Sequence, residues 1–175
     1  ELIATTTSGI TPEPKAQALL QAELGEIAHL LTPVATTAAP LAFSRSQEST
    51  LGNFIADAFL QQFAADLSFF DSKWMRRYLP GPDITECDVR EVLPGSVELV
   101  KVGMRADGLR GLLEYNLGKN DRFLAIPGVL RCSWDGRQLT DMMFNGRALD
   151  QRREYSVIVE RTMGERMVQF NGGTL

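Results

Sequence analysis

From Ser46 to Leu60 the apolar residues recur at the three-and-four spacing of one buried helical face. Leu51, Ile55, Ala58 and Phe59 form the stripe, with Phe54 and Phe63 beside it. The periodicity predicts an amphipathic helix that organises the rest of the chain. Gly52 falls in its first turns, where glycine costs about 1 kcal/mol relative to alanine, and Asn53 follows directly. So small a residue predicts the close approach of another backbone segment or of a ligand. Arg45, just upstream, brings a fixed positive charge to the same region.

Before this helix, residues 1–11 read as a short strand and linker, the tail of a preceding domain, and residues 12–175 as one domain. Pro12 and Pro14 lead into a helix of about 17 residues with the stripe Leu20, Leu24, Ile27 and Leu31, ended by Pro33. Residues 32–44, rich in Thr, Ala and Pro, predict an extended connection. Downstream, Leu67–Asp71 predicts a short buried strand, and 72–82 a loop holding three cations and two aromatics. Thr85-Glu-Cys-Asp88 has capping-box spacing for a short helix through Val92. Val97–Met104 alternates as a strand with Val100, Val102 and Met104 on one face. Asp107 is the expected cap of a helix with the stripe Leu109, Leu112, Leu113 and Leu117, ended by Gly118. The remainder reads as mostly β: strands at 123–126, 129–134, 139–144 and 155–159, with Asp135-Gly136 as a two-residue hairpin turn and Asn145-Gly146 as a second turn. Helices followed by hairpin strands imply an α+β fold with a mixed sheet packed against several helices, not an alternating parallel α/β fold.

Composition narrows the function classes. A net charge of −4 leaves no basic field to hold a nucleic-acid backbone. No apolar run reaches the roughly 18–20 residues that cross a bilayer. No signal-peptide pattern is read in the residues given, and a start at Glu1 is expected of a processed product or of a piece of a longer chain. Cys87 and Cys132 can pair or stay free. The single histidine, His29, lies off its helix stripe with no second His or Cys nearby, which predicts a surface position. A hydrolytic metal centre or a Ser-His-Asp arrangement usually needs at least one well-placed imidazole, and often several.

Motifs for chemistry are sparse. The sequence has no Walker-type loop, GxGxxG, GxSxG, HExxH or CxxC. Asp135, Asp141 and Asp150 fall at expected turns, where Asp serves local backbone hydrogen bonding, and Glu23 and Glu26 read as a solvated face. A cationic and aromatic set remains: Arg45 before the central helix, and Arg76 and Arg77 after the strand at 67–71. If that strand and the helix N-terminus lie together, guanidinium forks and a positive helix end share one rim, suited to a carboxylate, phosphate or hydroxyl-rich ligand. The alternative is that these arginines are surface charges or pair with Asp71 and Glu48.

The segment Glu48-Ser-Thr-Leu-Gly-Asn-Phe-Ile-Ala-Asp-Ala58 with Arg45 ahead of it resembles the C-terminal domain of the 5'-nucleotidase family, which includes ecto-5'-nucleotidases, UDP-sugar hydrolases and cyclic-nucleotide phosphodiesterases. Ile84–Val89, Val92-Leu-Pro94, Leu99–Val102, Phe123-Leu124 and Asn145–Asp150 with Tyr155 match in the same order. The resemblance spans roughly residues 12–160 and implies the family's C-terminal fold. It implies a substrate-binding domain with no catalytic or metal-ligating residues and no cofactor of its own. Two divalent metal ions would belong to an N-terminal metallophosphoesterase domain of the same polypeptide, and a nucleotide or other phosphate ester would be the substrate. A periplasmic or secreted location follows by the same resemblance.

Carried over position by position, the resemblance places substrate contacts at Arg45, Asn53, Asp71, Trp74, Arg76 and Phe170. Asp71 stands where the family has Asn, and Ser72, Lys73 and Trp74 stand where it has glycines. Gly95 takes the place of a base-stacking Phe, and the second stacking ring falls either at Phe170 or near Asn171-Gly-Gly173. Side chains at 72–74 keep backbone from approaching a sugar as glycines do, and loss of one stacking face removes on the order of 1–3 kcal/mol. Three readings stay open: the substrate-recognition domain of a nucleotidase-like hydrolase, a family member acting on another phosphate ester or a sulfur ester, or a non-catalytic binding module keeping the fold.

Overall fold

The computed structural model describes residue 11 and residues 13–118 and 123–171, the side chains of 169–171 excepted. The expected N-terminal strand and Asn171-Gly-Gly173 turn therefore fall largely outside the described residues. The elements run α1 (Pro14–Glu26), a 3₁₀ turn (Ala28–Leu31), β1 (Pro33–Thr36), α2 (Thr50–Gln62), β2 (Leu67–Ser68), β3 (Phe70–Asp71), a 3₁₀ turn (Ser72–Trp74), β4 (Asp83–Thr85) and α3 (Glu86–Val92). They continue with β5 (Leu99–Arg105), α4 (Ala106–Leu117), β6 (Leu124–Ala125), β7 (Leu130–Trp134), β8 (Leu139–Phe144), β9 (Arg147–Ala148), β10 (Glu154–Glu160) and α5 (Arg161–Asn171). The expected α+β class with a mixed sheet is observed.

The central helix forms as its pattern predicts. Ser49 caps α2 by accepting the Gly52 amide at 3.2 Å. Leu51, Ile55 and Ala56 are buried; Phe54 and Phe63 are exposed. Burying Leu51 and Ile55 contributes roughly 1.5–3 kcal/mol each. Gly52 is explained by the fold: a Cβ there would lie 3.0 Å from the Ala125 Cβ and 3.1 Å from the Ser49 Oγ. β6 makes the close approach, and no ligand is needed to account for it.

Two clusters form the core. Around β5, β10 and α4, Val102, Met104, Leu109, Leu113, Tyr155, Val157 and Val159 pack together. Around α2 and β3, Leu51, Ile55, Phe70, Met75, Leu79, Ile84 and Val92 pack. β10 bridges the topology, running antiparallel to β5 in the register Val157↔Val102 and parallel to β2 in the register Ile158↔Ser68. The predicted strand at 67–71 is divided. Its first half joins β10, while its second half, β3, leaves to pair with β6.

Several expectations change. α1 ends at Glu26 and has no buried residue; of its apolar stripe Leu24 is half-buried and Leu20 exposed. The connection at 32–44 contains β1, which pairs with β4. The α4 N-cap is Arg105; Asp107 lies inside the first turn and accepts the Gly108 amide. Asp135-Gly136 sits inside a longer turn in which the Asp135 carboxylate accepts the amides of Arg137 and Gln138. Asp141 lies within β8, opposite Ser133. β10 leads into helix α5, which periodicity had not separated from the strands before it. The Thr85–Asp88 capping box forms as expected, and Asn145 and Gly146 adopt the positive φ angles of a tight hairpin turn. His29 is exposed, and the two cysteines are free.

Candidate functional site

The parallel pair β2 and β10 sets where the site residues meet. Its register continues through a hydrogen bond from the Phe69 amide to the Ile158 carbonyl, 2.9 Å. The chain leaving β2 and β3 at Asp71 and the chain leaving β10 at Glu160 therefore emerge at the same sheet edge. β5 begins there too, since Leu99 pairs with Glu160 and the Arg161 amide donates to the Glu98 carbonyl at 2.9 Å.

Ser72 ties the edge to the entrance of α2. Its hydroxyl donates to the Arg45 carbonyl at 2.9 Å and accepts the Phe123 amide at 3.2 Å. Arg45 is thereby fixed beside the turn that carries Asp71 and Trp74. Farther along the loop, the Arg76 amide donates to the Val92 carbonyl at 3.0 Å. That bond brings Arg76 against the end of α3, three residues before Gly95.

The structure thus brings Arg45 to the turn at Asp71–Trp74 through Ser72 and sets the Arg76 backbone against the end of α3; these four residues form the candidate rim. Arg45 is exposed, its guanidinium carbon 5.8 Å from the Phe43 ring centroid, and Arg76 is exposed as well. Neither forms an ion pair among the described residues. The pairings considered for them are taken by others. Asp71, 8% exposed, accepts the Lys73 amide at 2.9 Å and pairs with its ammonium at 3.2 Å. Glu48 accepts the Asn53 side-chain amide at 2.7 Å. Arg77 turns away to Glu91 and lies over Tyr78. Phe170 is on α5, and its side chain lies outside the described residues.

Three buried side-chain atoms lack hydrogen-bond partners among the described residues: Asn53 Oδ1, Trp74 Nε1 and Glu160 Oε2. Two belong to residues the sequence had singled out. The third was missed. Glu160 is 6% exposed and accepts the Thr162 amide through Oε1 at 2.9 Å. A carboxylate closing the apolar run Val157–Val159 was the available signal. Gly95, in place of a ring, has φ +92° and no atom within 4 Å of a built Cβ. Its positive φ strains any side chain placed there.

Behind the α2 entrance lies a mostly apolar cavity of about 230 Å³, lined in part by Glu48, Asn116, Phe123, Cys132 and Trp134. Burial pushes the Cys132 thiol up to about 11, with nearby Arg110 opposing the rise and Asp141 and Glu48 adding to it. A thiol raised this way is mostly protonated, and so less nucleophilic, at neutral pH. Among the described residues no group of three or more His, Cys, Asp or Glu is placed to hold a metal ion. The chain's donor set thus does not fit a two-metal centre among those residues, and no step through metal is assigned to it. No helix among them is long and apolar enough to cross a membrane.

Comparison with known proteins identifies the fold. The family model for the 5'-nucleotidase C-terminal domain matches residues 27–171. No curated protein matches. Among solved structures, a 5'-nucleotidase precursor from Thermus thermophilus superposes with a TM-score of 0.69 at 21% identity, covering 91% of this chain and 36% of that one. The NAD nucleotidase of Haemophilus influenzae gives 0.69 at 15%, covering 93% and 36%. The sulfate thiohydrolase SoxB of Thermus thermophilus gives 0.66 at 22%, covering 94% and 33%. The chain spans about a third of the length of these proteins, and at such identities the likeness is one of fold. Together with the family match over most of its length, this places the chain in the 5'-nucleotidase C-terminal domain family.

Proposed function

We propose that this chain is the substrate-binding C-terminal domain of a nucleotidase-like metallophosphoesterase that hydrolyses nucleotides or related phosphate esters. The family match over residues 27–171 carries the reading. The rim of Arg45, Asp71, Trp74 and Arg76 supports it. Two exposed guanidinium groups without ion pairs among the described residues are suited to phosphate and hydroxyl groups. Bond cleavage and its two divalent metal ions belong to an N-terminal metallophosphoesterase domain, the domain's main partner, in a periplasmic or secreted setting. In this scheme the domain contributes orientation and specificity: it presents the ester to the metal site and adds no catalytic group.

A second reading concerns the substrate. Gly95 is held at φ +92°, and the loop at 72–74 carries side chains where the family has glycines. Together they remove one ring of a base clamp and narrow the backbone's approach to a sugar. This favours a phosphate or sulfur ester without an aromatic base.

Two observations test the function. The coding sequence upstream of Glu1 is expected to encode Asp-x-His and Asn-His-Glu metallophosphoesterase motifs, and their absence favours a non-catalytic module. The purified chain is expected to hydrolyse no phosphate ester with added Mn²⁺, Co²⁺ or Zn²⁺; robust turnover overturns the assignment. The substrate reading is tested by calorimetry of the intact two-domain protein against AMP, a UDP-sugar and a cyclic nucleotide, where micromolar binding counts against a base-free ligand.

A further inference from the structure

An open cavity of about 490 Å³ lies where β8, β9 and β10 meet, lined by Phe144, Asn145, Arg147, Ala148, Asp150, Arg153 and Tyr155. It is at the start of β10, whereas the rim described above is at that strand's other end. The six steps from Glu154 to Glu160 separate the two by about 20 Å at roughly 3.3 Å per residue.

Arg153 is held from several sides. One nitrogen pairs with Asp66, and its guanidinium carbon lies 4.8 Å from the Tyr155 ring centroid and 5.4 Å from that of Phe144. Both holders are themselves fixed. The Asp66 carboxylate accepts the Ser156 amide and hydroxyl at 2.9 and 3.0 Å, and the Tyr155 hydroxyl accepts the Asp150 amide at 2.8 Å. A planar fork held by these contacts and still 46% exposed has less rotamer freedom to lose when a ligand arrives. Arg147 on β9 is exposed and forms no ion pair among the described residues. It follows Asn145-Gly146, whose positive φ angles fix the turn. The opposing charge is Asp150, whose Oδ1 accepts the Arg152 amide at 2.8 Å. Of the charged side chains lining the cavity, Arg147 and Arg153 are cationic and Asp150 anionic, with Asp66 paired to Arg153 beside them; Arg147 is the cation without an ion pair among the described residues.

We propose that this cavity is a second ligand site, taking a small oxyanion between Arg147 and the clamped Arg153. The same two guanidinium groups suit an organic phosphate or a carboxylate, and Asp150 favours a ligand that also carries a hydroxyl or amine donor.

The test is an amide chemical-shift titration of the chain at fixed ionic strength, with inorganic phosphate in one arm and succinate in the other. The proposal expects saturable shifts at Asn145–Arg147 and Arg153 with at least one anion. The arm that binds more tightly identifies the chemistry. Arg147→Ala, which removes an exposed side chain, is expected to weaken binding about tenfold or more. Arg153→Lys, which keeps charge but loses the stacked fork, is expected to weaken it too. No saturable shift at this corner with either anion, or undiminished affinity in Arg147→Ala, overturns the proposal. Shifts confined to Arg45 and residues 72–76 also overturn it, while leaving the proposed function standing.

Discussion

The Ser72 hydroxyl donates to the Arg45 carbonyl at 2.9 Å while accepting the Phe123 amide at 3.2 Å. One small buried side chain thus joins the turn after β3, the entrance of α2 and the approach to β6. The loop after β3 is thereby locked to its neighbours. Ser72→Ala leaves the carbonyl and amide short of a partner. Removing one hydrogen-bond partner at such a site costs about 1–3 kcal/mol. Urea unfolding is expected to show that loss with an unchanged m-value.

Gly52 makes a prediction of opposite sign to intrinsic propensity. Alanine is favoured over glycine in a helix by about 1 kcal/mol. Here the added Cβ would meet Ala125 at 3.0 Å, and overpacking of this kind costs typically 1–3 kcal/mol. Gly52→Ala is expected to lower the urea midpoint. A raised midpoint would show that α2 and β6 yield easily.

The Thr85–Asp88 capping box predicts a pH dependence. Hydrogen bonds from the Thr85 hydroxyl and amide, with a smaller contribution from Arg77, hold the Asp88 carboxyl below its ordinary value of 3.8. A depressed folded-state pKa adds stability that is present above the unfolded value and is lost as pH falls through the folded one. Parent and Asp88→Asn should therefore differ most above the ordinary carboxyl value of 3.8 and converge as pH falls below it through the depressed folded-state value. Thermal unfolding across that range measures the difference. A constant gap would mean that the box acts without the charge.

Cys132 is expected to resist alkylation by iodoacetamide at neutral pH, because burial raises its thiol to about 11. Its labelling rate in the native protein should climb as pH approaches that value. Rapid labelling at neutral pH would place the thiol outside the cavity it shares with Glu48 and Trp134.

Much of the scaffold was legible because local chemistry agrees with tertiary packing. The α2 stripe, the capping box and the Asn145-Gly146 turn are each specified within a few residues. β1 was hidden because its residues stay exposed, so burial imposed no alternation on Pro33–Thr36. The split of 67–71 between two sheets depends on partners far away in sequence, as does the burial of Glu160 at the end of β10. α5 was missed because glycine and charge interrupt its apolar spacing at Gly164–Arg166, and Gly164 is there because Val100 and Val102 pack against it. Residue identity named the candidate rim, while the Ser72 bond that brings Arg45 to the turn after β3 had to be observed.

The central claim is that the rim around Arg45 and Arg76 orients a phosphate ester for a catalytic domain in the same polypeptide. The direct measurement is kcat/KM of the intact two-domain protein on its best phosphate or sulfur ester, comparing Arg45→Ala and Arg76→Ala with Arg90→Ala. Arg90 is an exposed helix residue paired with Glu86 and serves as the control. Each rim variant is expected to lose about tenfold or more, the worth of a charge-assisted hydrogen bond, while the control is unchanged. Rim variants that retain the parent's kcat/KM would contradict the account.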